Sequence, residues 1–234
     1  MTGKQRNYNR RYPSEYGFLR TLFYMTFLHT VVIPFMNIFY NYEINGRENM
    51  PKQAKNGKFI YTANHVSIFD PPMVSMATGK PIAYMAKKEL FVDGEKLSWL
   101  VKRLGAFAVD RTKPEIATFK TVRDILSTSW SLGVFPQGGI RPYGKLDEVK
   151  KGFVVIAKNA KADIVPVGIE GFDGYPKLKP FTRRNVKLHI GKPISYKLPE
   201  DEIIYQWGEQ MSKLAGYENL LPKPSAKENQ VLNR

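Results

Sequence analysis

The sequence predicts an α/β domain, a mostly parallel sheet flanked by helices, with an N-terminal apolar helical segment that associates with membranes. Three observations predict it. From residue 46 onward, short apolar runs alternate with helical stretches, the pattern of strands joined by crossover helices. Residues 21–42 carry no charged side chain apart from His29, over about the length needed to cross a bilayer. The chain of 234 residues is 43% apolar, enough to build a core without covalent staples.

The elements follow in order. Ahead of the apolar segment, Lys4, Arg6, Arg10, Arg11 and Arg20 face the single acid Glu15, as on the cytoplasmic flank of a membrane segment. Pro34 removes a backbone donor and crowds the preceding turn. Two shorter helices with a bend, lying in or half-inserted into the interface, therefore fit better than one clean span. A true span and a helix buried in the core are the remaining readings, since helices apolar all round also sit inside large domains. A cleaved signal peptide does not fit, because the run is too long and no small-residue cleavage site follows. Residues 59–63 read as a buried strand, and Asp70-Pro71-Pro72 opens a helix. Further strands are expected at 106–109, 132–135, 164–169 and 186–190. Helices are expected at 114–127, where Ile116, Phe119, Val122, Ile125 and Leu126 share one face, and at 152–158. The division is a basic flank and membrane anchor at 1–45, an α/β domain at 46–221 and a flexible tail at 222–234.

Charge and cysteine content narrow the chemistry. Lys and Arg number 36 against 21 Asp and Glu, a net +15, which favours a polyanionic partner: an anionic membrane, a phosphorylated small molecule or nucleic acid. Between Gly174 and Pro199 lie Lys177, Lys179, Arg183, Arg184, Lys187, Lys192 and Lys197 with no acid. Beside an apolar N-terminus, such a run is drawn to anionic lipid at about 1 kcal/mol per basic residue. With no cysteine there is no thiolate nucleophile and no Cys-ligated zinc, and His29, His65 and His189 are too few for a histidine-rich metal site. A catalytic base must be one of these histidines or a carboxylate.

The richest loop is Asn64-His65-Val66-Ser67-Ile68-Phe69-Asp70. His65 and Asp70 would lie about 140° apart on a helix, so they meet only with His65 on the loop and Asp70 at the start of the next element. The residue before proline is held extended, as an N-cap is, and Pro71 suits the first helical position. Two prolines also lower the demand for capping, leaving an Asp70 oxygen for the His65 ring. A His-Asp dyad would let Asp70 set the tautomer while the other ring nitrogen takes a proton from a hydroxyl. The alternative is a cap aspartate beside an unrelated loop histidine.

This loop resembles the Asn-His-four-residues-Asp block of the PlsC-like glycerophospholipid acyltransferases, the family that acylates lysophosphatidic acid. Gly105-Ala106-Phe107-Ala108-Val109-Asp110-Arg111 is similar to its second block, Phe135-Pro136-Gln137-Gly138-Gly139-Ile140-Arg141 to its third and Val165-Pro166-Val167-Gly168-Ile169 to its fourth. Lys87 falls where the family often has a lysine. The resemblance spans roughly residues 60–170 and implies transfer of a fatty acyl group from an acyl thioester to lysophosphatidic acid, giving phosphatidic acid. It makes His65 and Asp70 the catalytic pair. Lys87, Arg111 and Arg141 supply cations for the acceptor phosphate, and Gln137, Gly138 and Gly139 complete the substrate-binding loop. No metal or cofactor is expected; the thioester of coenzyme A or of an acyl carrier protein is a co-substrate. Partners are anionic lipid and the lysophospholipid, with nucleic acid not expected, at the cytoplasmic face of a membrane as a monotopic or peripheral protein.

The third block departs from the usual Phe-Pro-Glu-Gly-Thr-Arg-Ser: Gln137 replaces the glutamate, Gly139 the threonine and Ile140 the arginine, with Arg141 one place later. A different lysolipid or lipid alcohol as acceptor is therefore a second reading. A non-catalytic basic protein of membrane surfaces or nucleic acid is a third. Ser67 stands beside the dyad, but no G-x-S-x-G elbow occurs in the chain, which favours direct attack by the acceptor hydroxyl over an acyl-serine.

Overall fold

A computed structural model describes residues 10–51, 59–92, 95–109, 116–172 and 183–224. Seven strands form one sheet: β1 (Tyr40–Asn45), β2 (Phe59–Ala63), β3 (Ile82–Lys87), β4 (Phe107–Val109), β5 (Ser131–Val134), β7 (Asp163–Glu170) and β8 (Arg184–Ile190). Their spatial order is β1-β8-β7-β2-β5-β3-β4, and a two-stranded ladder joins β6 (Lys145–Leu146) to β9 (Glu218–Asn219). Strands β7, β2, β5, β3 and β4 run parallel; β8 is antiparallel to β7, and β1 is parallel to β8. The helices are α1 (Phe18–Phe27), α2 (Ile33–Phe39), α3 (Asp70–Thr78), α4 (Lys96–Arg103), α5 (Ile116–Leu126), α6 (Gly152–Ala160) and α7 (Glu200–Ala215). The fold is thus the mostly parallel, helix-flanked sheet that the alternating pattern predicts. Each of the five anticipated strands is present.

The central strands are buried on both faces. Ile60, Leu132, Ile164, Val165, Val167 and Ile169 are fully enclosed, which is why they read as continuous apolar runs rather than alternating ones. One cluster packs α5, α6 and α7 on one side, anchored by Trp130, Phe153 and Trp207. A second packs α3 and the N-terminal helices on the other. Residues 40–45, which the sequence division joins to the anchor, form the edge strand of the sheet.

The N-terminal segment departs from two helices bent at Pro34. α1 passes through a single π turn, Leu28–Val32, straight into α2, and Phe18–Phe39 is helical throughout. The turn explains both the continuity and the packing. Tyr24, Leu28, Val32 and Met36 are buried at intervals of four. On a pure α-helix the twelve residues from Tyr24 to Met36 accumulate about 120° of drift, and a π turn absorbs one residue, about 100° of it. The four side chains therefore stay on one line against the domain. The wider turn also relieves the crowding that a proline ring imposes on the carbonyl four residues earlier. Phe18, Leu19, Leu22, Val31 and Ile38 on the remaining surface are exposed. The segment is half core helix and half open apolar face.

The basic flank is divided as well. Arg11 is buried, donating from Nη2 to the Ala106 carbonyl (3.0 Å) and from its backbone to Thr121 Oγ1 (3.1 Å), and Arg10 pairs with Asp124. These two arginines fasten the N-terminus to α5 and to the start of β4.

Neighbouring valines test this packing. Val32→Asp puts an unpaired charge in the core and should lower the thermal midpoint by on the order of 10 °C. Val31→Asp, on the open face, should leave it nearly unchanged in detergent solution. Equal losses from the two would contradict the π-turn alignment.

Candidate active site

The sheet topology selects the location. β2 crosses by α3 to β3 on one side, whereas its neighbour β5 crosses by α6 to β7 on the other. Connections that leave in opposite directions open a crevice at the carboxyl ends of the two strands, where ligands of such sheets bind. The loops after β2 and β5 carry the first and third blocks. Thr62 pairs with Val134, so three residues further on His65 and Gln137 stand side by side.

His65 and Asp70 meet there. The His65 Nδ1 to Asp70 Oδ2 distance is 2.7 Å, and the same oxygen accepts the Val66 N–H at 2.7 Å and the Ser67 N–H at 2.8 Å. An ionised carboxylate only accepts, so the ring must donate from Nδ1, leaving Nε2 with a lone pair. The His65 side chain is 13% exposed while that of Asp70 is closed to solvent. Asp70 is not the cap that its place before proline suggests. It is the first residue of α3, with Phe69 as N-cap in helical conformation. Pro71 and Pro72 offer no N–H ahead of it, so its carboxylate turns back to the amides of the loop that it follows. Its second oxygen, Oδ1, is buried without a hydrogen-bond partner among the described residues. Burial pushes the Asp70 carboxyl above its ordinary value of 3.8, against the pull of the His65 ring and the two backbone amides.

The imidazole is also held from its face. His65 stacks on Phe135 (centroids 4.1 Å apart, planes at 18°), and Phe135 stacks on Tyr84 (5.6 Å, 15°). Tyr84 donates to the Pro71 carbonyl at 2.9 Å, which ties the stack to the start of α3. Gly133 makes room for it: a Cβ there would stand 2.2 Å from the Tyr84 ring. This three-ring stack is the main feature that reading by motif missed. Phe135 lies within the third block, but nothing local says that its ring faces a histidine seventy residues earlier.

The other site residues divide. Gln137 is buried, and its Oε1 accepts the His65 N–H at 2.6 Å, so it supports the first block from the third. Arg141 donates its backbone N–H to the His65 carbonyl (2.8 Å), while its side chain is exposed. Gly138 adopts φ +71° and donates its N–H to the Phe135 carbonyl at 2.9 Å. The backbone N–H groups of Gln137, Gly139 and Ile140 in this loop donate to no backbone carbonyl among the described residues. Lys87 is exposed at the end of β3 and pairs in register with Val109, the last residue of β4. Arg111 lies outside the described residues, two positions beyond Val109. Ser67 is buried, with its hydroxyl accepting the Phe69 N–H at 3.2 Å and its amide spent on Asp70. In the fourth block, Ile169 clasps the Asn64 side chain through both backbone groups, at 2.8 and 2.9 Å.

Comparisons with known proteins bear on the family and the fold. The acyltransferase family profile matches residues 41–170. The 1-acyl-sn-glycerol-3-phosphate acyltransferase of Streptococcus pneumoniae is 33% identical over 176 residues, 74% of this chain and 63% of that protein. The chain thus spans less than two thirds of that relative. The enzyme of the same name from Bacillus subtilis is 32% identical over 155 residues, 65% of this chain and 73% of that protein. The crystal structure of the 1-acyl-sn-glycerophosphate acyltransferase PlsC from Thermotoga maritima has a TM-score of 0.61 at 25% identity, covering 83% of this chain and 79% of that one.

The raised Asp70 carboxyl has a measurable sign. A folded state that holds this proton more tightly than the unfolded chain loses stability as pH rises from about 3.8 through the folded value. Asp70→Asn removes that loss. The stability of the native protein relative to Asp70→Asn should therefore decline across this window in urea titrations at successive pH values. A pH-independent difference would contradict the burial argument.

Proposed function

The chain belongs to the acyltransferase family, and on that footing we propose that it moves a fatty acyl group from an acyl thioester to the free hydroxyl of lysophosphatidic acid, giving phosphatidic acid. The 2.7 Å contact between His65 and Asp70 carries the reading. His65 Nε2 takes the hydroxyl proton as the acceptor oxygen attacks the thioester carbonyl, and Asp70 stabilises the imidazolium that forms. The tetrahedral intermediate collapses with cleavage of the C–S bond, and the proton passes from His65 to the departing thiolate. The Gly139 amide serves as a backbone donor to the developing oxyanion. Lys87 at the end of β3 and Arg141 beyond β5 serve the acceptor phosphate, together with Arg111 of the second block. Ser67 is occupied as a structural donor and acceptor, which supports direct transfer. The donor is a thioester of coenzyme A or of an acyl carrier protein.

The altered third block keeps the second reading, a different lysolipid or lipid alcohol as acceptor, open to experiment. Gln137 favours the first reading, because its burial and its bond to the His65 backbone make the change internal to the loop. Ile140, in the place of the usual arginine, is exposed and favours the second.

The protein docks on one face of a bilayer. Phe18–Phe39 would measure about 33 Å, enough to span, but its Tyr24–Met36 stripe packs lengthwise on the domain. A helix so attached lies on the membrane with its open face down. Leu97 and Trp99 of α4 are exposed and extend that face, with Trp99 edge-on to Phe23 at 6.2 Å. Arg103 sits over the same Phe23 ring, and Lys96 is exposed at the start of α4, placing cations at head-group level. The basic flank supports the cytoplasmic side for this face.

Transfer of labelled acyl groups in mixed micelles tests the chemistry. His65→Ala should lower kcat by about a thousandfold or more with little change in KM; unchanged turnover sinks the proposed base. A preference for a phosphate-free acceptor over lysophosphatidic acid selects the second reading. For the membrane, Leu19→Glu with Trp99→Glu should abolish co-sedimentation with anionic vesicles while leaving the thermal midpoint in place.

A further inference from the structure

The chain returns to the site once more, beyond residue 170 where the family profile ends. α7 closes at Gly216, whose left-handed conformation (φ +67°) turns the backbone so that Tyr217 is buried against the first and third blocks. Asn64 Nδ2 donates to the Tyr217 hydroxyl at 3.4 Å, and the Gln137 amide lies within hydrogen-bonding reach of the same oxygen. We propose that Tyr217 is a positioning residue for the catalytic loop: its hydroxyl joins the side-chain amides of Asn64 and Gln137, the two groups that hold the backbone beside the His65 ring.

Orientation of the Gln137 amide is the central point. The His65 N–H requires an acceptor, so Gln137 must turn its oxygen toward it and its NH₂ away. In a buried position that NH₂ needs a partner of its own, and the Tyr217 hydroxyl is the partner within reach. Without the hydroxyl, neither amide is held by this link, and Gln137 is free to turn its donor toward the His65 N–H, repelling it. Asn64 remains clasped by Ile169, so the weaker member of the pair is Gln137. The substitution of glutamine for the family's usual glutamate fits this arrangement. Glutamine donates to the tyrosine, whereas a glutamate would require the tyrosine to donate to it.

Tyr217 is itself held on the third-block loop. Its ring packs on Tyr143 with centroids 4.8 Å apart, and its carbonyl accepts the Ser212 hydroxyl. The next residues form β9: Glu218 N donates to Gly144 O at 2.7 Å and Leu220 N to Leu146 O at 2.9 Å. Residues 143–146 continue directly from Arg141, whose amide binds the His65 carbonyl. The C-terminal segment therefore staples the third block to the first.

The kinetic consequence rests on the acyl-transfer reading, while the geometry has a readout that does not. Tyr217→Phe keeps the ring and its contact with Tyr143 and removes only the hydroxyl. It should lower kcat about tenfold, with KM for both substrates within about twofold. The double variant with Gln137→Ala should lose no more than Gln137→Ala alone, because Asn64 stays clasped by Ile169 and the link that matters, from Tyr217 to Gln137, is broken by either change. In parallel, the His65 ring nitrogens are followed by NMR across pH and assigned against His65→Ala among the three histidines. Tyr217→Phe should shift or broaden the His65 titration and leave His29 and His189 in place. Native kcat with an unmoved His65 spectrum overturns the proposal, as do losses that multiply in the double variant. If no acceptor is acylated, the spectrum alone decides. If Tyr217→Phe does not fold, Gln137→Met breaks the link from its other side, and a native His65 spectrum in that variant overturns the proposal equally.

Discussion

One oxygen organises the site. Asp70 Oδ2 gathers the His65 ring and the amides of Val66 and Ser67 at 2.7 to 2.8 Å, in a position without solvent. The loop between strand and helix is wound around this acceptor, so its conformation and the histidine tautomer have a common cause. Burial raises the energy of the carboxylate, and the three donors offset only part of that cost. The prolines that follow are part of this arrangement. By withholding the N–H groups of the first helical turn, they leave the aspartate to face backward, into the loop, instead of forward along the helix.

The same economy links the site to the apolar N-terminus. Tyr24, on the packed stripe of the first helix, contacts the Ser75 hydroxyl inside α3, and both Ser75 and Tyr84 hydrogen-bond the Pro71 carbonyl. Pro71 follows Asp70 directly. A helix with an open apolar outer face is thus joined through three hydroxyls to the turn that carries Asp70. The π turn is what allows it: a straight α-helix of the same sequence would carry Met36 out of line with Tyr24 and leave half the stripe unpacked. Packing along the length of the helix, and not its hydropathy, separates a surface-bound helix from a spanning one.

Legibility varied with the range of the interactions. The central strands were readable because burial on both faces writes a local apolar run. Strand β1 was not, since its Tyr-Asn-Tyr-Glu-Ile-Asn alternation continues an uncharged stretch that already had a membrane reading. Strand β3 and helices α4 and α7 also went unnoticed; α4 keeps Leu97 and Trp99 outside, so its pattern is not that of a core-facing helix. At the site, the His-Asp pair and its order with the other blocks were visible in the residues alone. The roles of Gln137 and Gly138 were not. Their side-chain and backbone groups serve neighbours within the protein, and a motif names residue types without saying which atoms are already occupied.

By itself the sequence determined the class of fold and the lack of cysteine, because both depend on composition or on neighbours within a few positions, and it offered the His65–Asp70 pair beside a cap reading of the same aspartate. The tertiary structure decided the rest. It placed His65 beside Gln137 through the register of β2 with β5, stacked His65 on Phe135 and Tyr84, and split the apolar segment into a packed and an open face. It also brought Tyr217 from the far end of the chain to the first block. These contacts join residues separated by up to 153 positions, and their partners are set by sheet order and helix phase, properties that no local window of residues contains.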